Sequence, residues 1–335
     1  MRIKSSGPCL YCGGTPPGAT FAGREHVIPQ SFGTFEPQNL LLYDVCDACN
    51  KSMGDELDIV FAKGSFEGLL RFETGLKLAV EYKSIGKRSR YRSVALEGPL
   101  KAMYVAPVVS ADRQSLVYQP VPQLGFALTE EGPYDYYRGH EIPTRDALRV
   151  RYGQTNLCVK AVGFPPETDI RAFLIECGFE ADPAPLRADF AIVTAGTSST
   201  PIDYRFRVDR TLFRAIAKVA FGYLAVSHPE IARMPTFAAI RAFIRYGTEP
   251  GFRVVGFRPT PIRTGPVGPP PTGHILAVRF REDVNEVVGY VTLFNRVHYE
   301  VCLATEAFLT TVSSRVLARA HFFDTKTRTM RQLPT

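Results

Sequence analysis

Apolar positions recur at two spacings along this chain, and the spacing changes with position. After Asn50, Met53, Leu57, Val60 and Phe61 fall three or four residues apart, which predicts a helix. Phe66, Leu69, Leu70, Phe72, Leu76 and Leu78 predict a second over residues 65–82. Ahead of them, the runs 25–28, closed by Pro29, and 40–45 read as two short strands, giving a strand–loop–strand–helix unit. Residues 92–208 change to short apolar runs cut by Gly and Pro, with strands expected at 94–96, 103–109, 116–118, 148–150, 157–162, 190–193 and 204–208 and one helix over 167–178. Asp209 is a good N-cap for a helix whose apolar stripe is Leu212, Phe213, Ile216, Val219, Ala220 and Tyr223. A shorter helix runs from Thr236 to the stop at Gly247, with Arg241 and Arg245 one turn apart. Past a proline-rich loop at 258–273, alternation through Leu276/Val278/Phe280, Tyr290/Thr292/Phe294 and Val297/Tyr299/Val301 predicts an antiparallel meander turning at Asn295-Arg296. Residues 315–323 add one more strand.

The fold class expected is therefore α+β: a small N-terminal module over 1–82, then a larger mixed domain with an antiparallel sheet over 83–335. Hydrophobic content of 45% with 22% charged residues fits a chain with a real core. No apolar run reaches the roughly 18–20 residues of a membrane span, and the N-terminus lacks the apolar segment of a signal peptide, so a cytoplasmic protein without membrane contact is expected. The net charge of +7 suits a polyanionic partner. Residues 1–80 hold 7 Lys+Arg against 9 Asp+Glu, a balance of −2, so the remainder carries +9. Non-specific grip on a nucleic acid is thus expected from outside the N-terminal module.

Four of the seven cysteines form two C-x-x-C pairs, Cys9/Cys12 and Cys46/Cys49. Thiolates in such turns favour tetrahedral zinc, and four sulfurs leave no open position, so this Zn2+ is expected to be structural. Cys158, Cys177 and Cys302 sit in apolar contexts and read as buried small hydrophobes. The 33 residues between the pairs exceed a zinc-ribbon gap, and they contain Glu25 and His26, while Asn50 follows the last cysteine. Hydrolysis of a phosphodiester needs a base for water and a cation for the developing charge. A neutral imidazole can serve as the base. A carboxylate and an amide oxygen suit Mg2+ or Mn2+. Adjacent strand residues face opposite ways, so Glu25 and His26 share a site only if the strand is irregular there.

The ordered set C-x-x-C, Glu-His-Val-Ile-Pro, Gln-Asn-Leu and C-x-x-C-Asn resembles the HNH family of ββα-metal nucleases, in its zinc-containing form. It is similar in layout to the phage junction-resolving endonuclease VII. The resemblance implies a general base at His26, metal ligands at Glu25 and Asn50, and a bracing role for Asn39. The last His of the family pattern is Asn here, the H-N-N variant. It implies a metal-dependent DNA endonuclease that leaves 5′-phosphate ends, with a prokaryotic defence or restriction role by association. The alternatives are a silent, zinc-stabilised nucleic-acid-binding protein and an RNA-cleaving effector. Arg24, Lys51, Lys87, Arg88 and Arg90 are candidate phosphate contacts. Asp55 and Asp58 read as exposed helix charges or outer supports of the metal, and Tyr134, Tyr136, Tyr137 and Arg138 near His140 as a base-stacking cluster or as core. The 83–335 region is expected to select the target, or to carry an oligomer or partner-protein contact.

Overall fold

The computed structural model describes residues 7–36, 40–63, 65–82, 91–96, 101–153, 157–165, 168–176, 186–187, 202–206, 208–262, 272–305 and 318–334. In chain order its elements are β1 (Glu25–His26), β2 (Leu41–Leu42), α1 (Asp47–Met53), α2 (Ile59–Lys63), α3 (Phe66–Glu73), β3 (Tyr91–Ala95), β4 (Tyr104–Val109), β5 (Leu116–Pro120), β6 (Gln123–Ala127) and β7 (Asp135–Tyr137). Then come α4 (Arg145–Tyr152), β8 (Cys158–Val162), α5 (Ile170–Glu176), β9 (Leu186–Arg187), β10 (Ile202–Phe206), α6 (Arg210–Ser227), α7 (Pro229–Ala232) and α8 (Ala238–Tyr246). β11 (Val255–Phe257), β12 (His274–Arg281), β13 (Glu286–Leu293), β14 (Val297–Thr305), β15 (Arg319–Asp324) and β16 (Thr329–Gln332) complete the chain.

These elements form two compact units. The first joins residues 1–77 and 87–90 to 207–335, and the second comprises 78–86 and 91–206. A single cut near residue 82 therefore does not describe the chain. The short ββα segment buries too little apolar surface alone, and its core is continuous with that of the C-terminal third: Val27, Phe32, Leu42, Met53 and Phe61 share one cluster with Ile216, Phe221, Phe243, Leu293 and Tyr299.

Helix α6 is the axis of the first unit. Asp209 caps it, accepting from Leu212 N at 3.0 Å. Its residues are buried almost all round, from Leu212 and Arg214 through Ala225, because it lies between two layers. On one side Ala220 lies so close to Gly289 of β13 that a Cβ there would meet the alanine methyl at 2.8 Å. On the other, Gly222 faces Val27 and Leu42 of the hairpin. The sheet on the first side has the order β11-β14-β13-β12-β15-β16, antiparallel throughout. The expected antiparallel meander is present, but its strands are buried on both faces over His274–Val278 and Val287–Leu293, and its turn comes one residue earlier than expected: Phe294 and Asn295 take the positive φ values, 54° and 51°. Residue Glu36 pairs with Thr329, tying the loop after the hairpin's first strand to β16.

The second unit has two four-stranded sheets, ordered β10-β3-β4-β5 and β7-β6-β8-β9. Leu124, Phe126, Val159, Leu148, Ile170 and Leu174 form its main core. Residues 148–150, expected as a strand, are helical within α4: Thr144 caps its start, and Gly153, at φ 71°, ends it in the left-handed region. Those two flanking signals outweigh the brief Leu148-Arg149-Val150 alternation. Among the aromatic cluster, Tyr137 packs on Phe126 in the core, while Lys160 lies over Tyr134 and Arg138 over Tyr104. The expected strand at 190–193 lies outside the described residues, as do Cys177 and residues 263–271 of the proline-rich loop. Among the described residues, no helix is long and apolar enough to cross a membrane.

Candidate functional site

The cysteine pairs converge. The sulfurs of Cys9, Cys12, Cys46 and Cys49 all lie within 4.8 Å of one another, and among the described residues they are the group of Cys, His, Asp and Glu side chains that could close on a metal. Backbone turns build each half: Gly13, in the left-handed region, donates to Cys9 O at 2.9 Å, and Gly14 N donates to Cys12 Sγ at 3.4 Å. Cys46 N donates to Cys9 Sγ at 3.3 Å, joining the halves. Hydrogen bonding with Cys9 and burial push the Cys49 thiol well up. The donor set fits a tetrahedral zinc ion. From α8, Arg245 Nε donates to Cys49 Sγ at 3.2 Å, and its Nη1 donates to Ser52 Oγ at 2.9 Å. The sequence showed Arg245 only as a spacing partner of Arg241, but here its positive charge offsets a thiolate cluster.

The cysteines fix the start of α1, and α1 fixes Asn50. The helix begins at Asp47, three residues before the expected start, so Cys49 and Asn50 both lie in its first turn. Asp47 accepts from Ala22 N at 3.0 Å and Gly23 N at 2.8 Å, pinning the approach to β1 against the helix. Asn50 Nδ2 donates to Arg24 O at 3.1 Å. Its amide oxygen is thus directed by a bond that holds the nitrogen.

β1 and β2 are shorter than expected, two residues each, with Glu25 opposite Leu42 and His26 opposite Leu41. Alternation holds: Glu25 is 3% exposed, while His26 is only half-buried. Both nevertheless line one cleft of about 440 Å³, together with Arg24, Gln30, Asn50, Gly54, Asp58 and Ile59. His26 Nε2 lies 2.7 Å from Gln30 Nε2. With the Gln30 amide nitrogen as donor, Nε2 accepts and Nδ1 carries the ring hydrogen. Burial, followed by the positive charges of Arg24 and Lys218, holds the imidazole below its ordinary value, so it is neutral at pH 7.

The structure adds two residues here, one in the cleft wall and one buried against wall residues. Between α1 and α2, residues Gly54–Asp58 form a wide π turn. Such a turn inserts an extra position and shifts the helix register, so Asp58 enters the cleft wall instead of projecting as an outer helix charge. Asp55 stays outside, paired with Lys51 at 2.5 Å between two largely exposed side chains. The second residue is Lys218 of α6, 2% exposed, whose ammonium lies 2.5 Å from Glu25 Oε1 and 2.6 Å from Asp58 Oδ1. Burial lifts the Glu25 carboxyl above its ordinary range, with Lys218 opposing and Asp58 reinforcing the shift. For Lys218 burial alone would lower the pKa, and the two carboxylates reverse this, so it is a cation.

The carboxylate and amide oxygens of Glu25, Asp58 and Asn50 are the donors a hard divalent cation takes. The Glu25 carboxylate, however, is engaged by an ammonium. Of the candidate phosphate contacts, Arg24 is exposed at the cleft, and Lys51 is taken up by Asp55. Asn39, Lys87, Arg88 and Arg90 lie outside the described residues. Neither the curated proteins nor the solved structures hold a match to the chain. Residues 9–64, which carry both the cysteine cluster and most of the cleft wall, match the HNH endonuclease family model, so this segment is an HNH module.

Proposed function

We propose that the protein is a metal-dependent endonuclease that hydrolyses DNA phosphodiester bonds in the cleft around His26. The observation that carries this reading is the neutral imidazole of His26 on a cleft wall shared with Asn50 and Glu25, inside the segment that matches HNH endonucleases. His26 accepts a proton from a water that attacks phosphorus, once Gln30 gives up Nε2. Asn50 and Glu25 would hold a divalent cation, which when bound supplies the positive charge that stabilises the phosphate and the leaving oxygen. Arg24, exposed at the rim, is placed to receive a neighbouring phosphate. The zinc cluster fixes Asn50 one peptide bond from Cys49. The positive balance of +9 outside residues 1–80 supplies the longer-range attraction to nucleic acid, which favours target selection by the rest of the chain.

The test is cleavage of plain, branched, mismatched and modified DNA, and of RNA, by the zinc-loaded chain with Mg2+ or Mn2+, against His26→Ala. A loss of at least about 100-fold in the variant is expected. Equal background in both sinks the proposal. The Glu25–Lys218 ion pair favours a second reading, a nucleic-acid-binding module with a silent centre. That reading predicts unchanged DNA affinity in His26→Ala and no cleavage by either chain.

A further inference from the structure

Lys218 lies where α6 crosses the hairpin, in the otherwise apolar middle of the helix. Taking an ammonium out of water costs several kcal/mol unless it is closely paired. Lys218 is paired twice, at 2.5 Å and 2.6 Å, with carboxylates that both line the cleft. One turn earlier on the same face, Arg214 pairs with Glu56 and donates to Ile244 O at 3.1 Å, so the docking of α6 already has a polar anchor. Lys218 is not needed as a second one, and its partners Glu25 and Asp58 both line the cleft that His26 and Asn50 also line. Its burial also keeps it from touching a substrate. What it does control is charge: Glu25, Asp58 and Lys218 sum to −1, where the carboxylates alone would present −2 to an entering cation.

We propose that Lys218 is a resident counter-cation of the cleft. Its ammonium holds the position between Glu25 and Asp58, and by direct competition it sets how tightly the cleft takes a divalent cation. The proposal rests on the cleft being a nuclease centre. It makes Lys218 a positioning residue and predicts weak, readily exchanged metal in the wild type.

The test is Mn2+ binding, read by electron paramagnetic resonance on the zinc-loaded full chain. Zinc held by four thiolates does not exchange with Mn2+, a harder ion with a lower place in the divalent affinity order. Lys218→Met keeps the volume and removes the charge, and it is expected to bind Mn2+ at least tenfold tighter than wild type. The double variant Lys218→Met/Glu25→Gln is expected to lose that gain. A folded Lys218→Met with wild-type affinity overturns the proposal. If Lys218→Met unfolds because Glu25 is left unpaired, millimolar Mn2+ is expected to restore its fold. Failure of Mn2+ to do so while the double variant folds also overturns it. Should both variants fail to fold, the 15N resonance of the Lys218 ammonium in the wild type decides: it shifts on saturation with Mg2+ if the proposal holds and stays fixed if it does not. A wild type that cuts nothing while Lys218→Met gains affinity sinks the nuclease reading alone. Cleavage by the wild type without any gain in the variant sinks only the role of Lys218.

Discussion

Gly23 shows how closely the cleft is built around single atoms. A Cβ at this position would meet Asn50 Nδ2 at 2.9 Å and Asp47 Oδ1 at 3.2 Å. Neither partner can retreat freely, since Asp47 is pinned by two backbone amides and Asn50 by Arg24 O. Gly23→Ala is therefore expected to displace Asn50, lowering cleavage by about tenfold or more, the scale on which outer supports of a metal site act. Zinc content should stay unchanged, and a variant with full activity contradicts this placement of Asn50. His274 makes a different use of burial. Its Nε2 donates to Phe32 O at 3.2 Å and its Nδ1 accepts from Phe294 N at 3.2 Å, so only the neutral ring satisfies both. Burial pulls its pKa from 6.5 to about 4. The unfolded chain then binds the extra proton between those values, and stability is full above pH 6.5 and falls as pH drops toward 4. The loss is on the order of 3 kcal/mol. Urea melts at about pH 7.5 and about pH 4.5 should show it, and His274→Gln, which cannot titrate, should flatten that slope even if it is less stable throughout.

At the level of elements, legibility tracked how local the signal was. The cysteine turns, Glu25, His26 and Asn50 belong to short motifs, so that they come together was readable from their spacing. Helix α6 and the meander were readable because their apolar periods run for many residues. For Asp58 the sequence leaves an exposed charge and an outer support of the metal both open, because the wide turn at Gly54–Asp58 breaks the 3.6-residue register on which a helix-face reading depends. Lys218 was not readable: a lysine on an apolar stripe says nothing of two carboxylates, one of them 193 positions earlier in the sequence. Gly222, one turn after Lys218, lets α6 approach the hairpin, with Val27 Cγ2 at 3.5 Å and Leu42 Cδ1 at 3.7 Å from a Cβ there. Those are ordinary contacts. Gly222→Ala is thus expected to be neutral or to gain about 0.5–1 kcal/mol from helix propensity. Gly222→Leu should overpack and cost about 1–3 kcal/mol. Thermal melts of the pair test the docking, and equal melting temperatures would show that the helix does not seat here.

For the molecule as a whole, the consequence is that the HNH segment is not a free-standing module. Its motif ends near residue 64, yet its structural partners lie after residue 207. Lys218 neutralises Glu25, Arg245 faces Cys49, Arg233 pairs with Asp44 at 2.5 Å, and His274 holds Phe32 O. The shared core explains why: zinc can order the cysteine turns, but Val27, Leu42, Met53 and Phe61 are covered by residues of the C-terminal third. A sequence cut at residue 82 would leave that apolar face in water and Glu25 without its ammonium. A fragment of residues 1–82 is accordingly expected to bind one zinc ion through its four cysteines and still lack a fixed tertiary structure, with poorly dispersed amide resonances. Joining residues 1–77 to 207–335 with a flexible linker, omitting the second compact unit, is expected to restore dispersion and the His26 cleft. A well-dispersed 1–82 fragment would mean that the shared core is an accessory, and the dependence of the cleft on Lys218 would have to be given up with it.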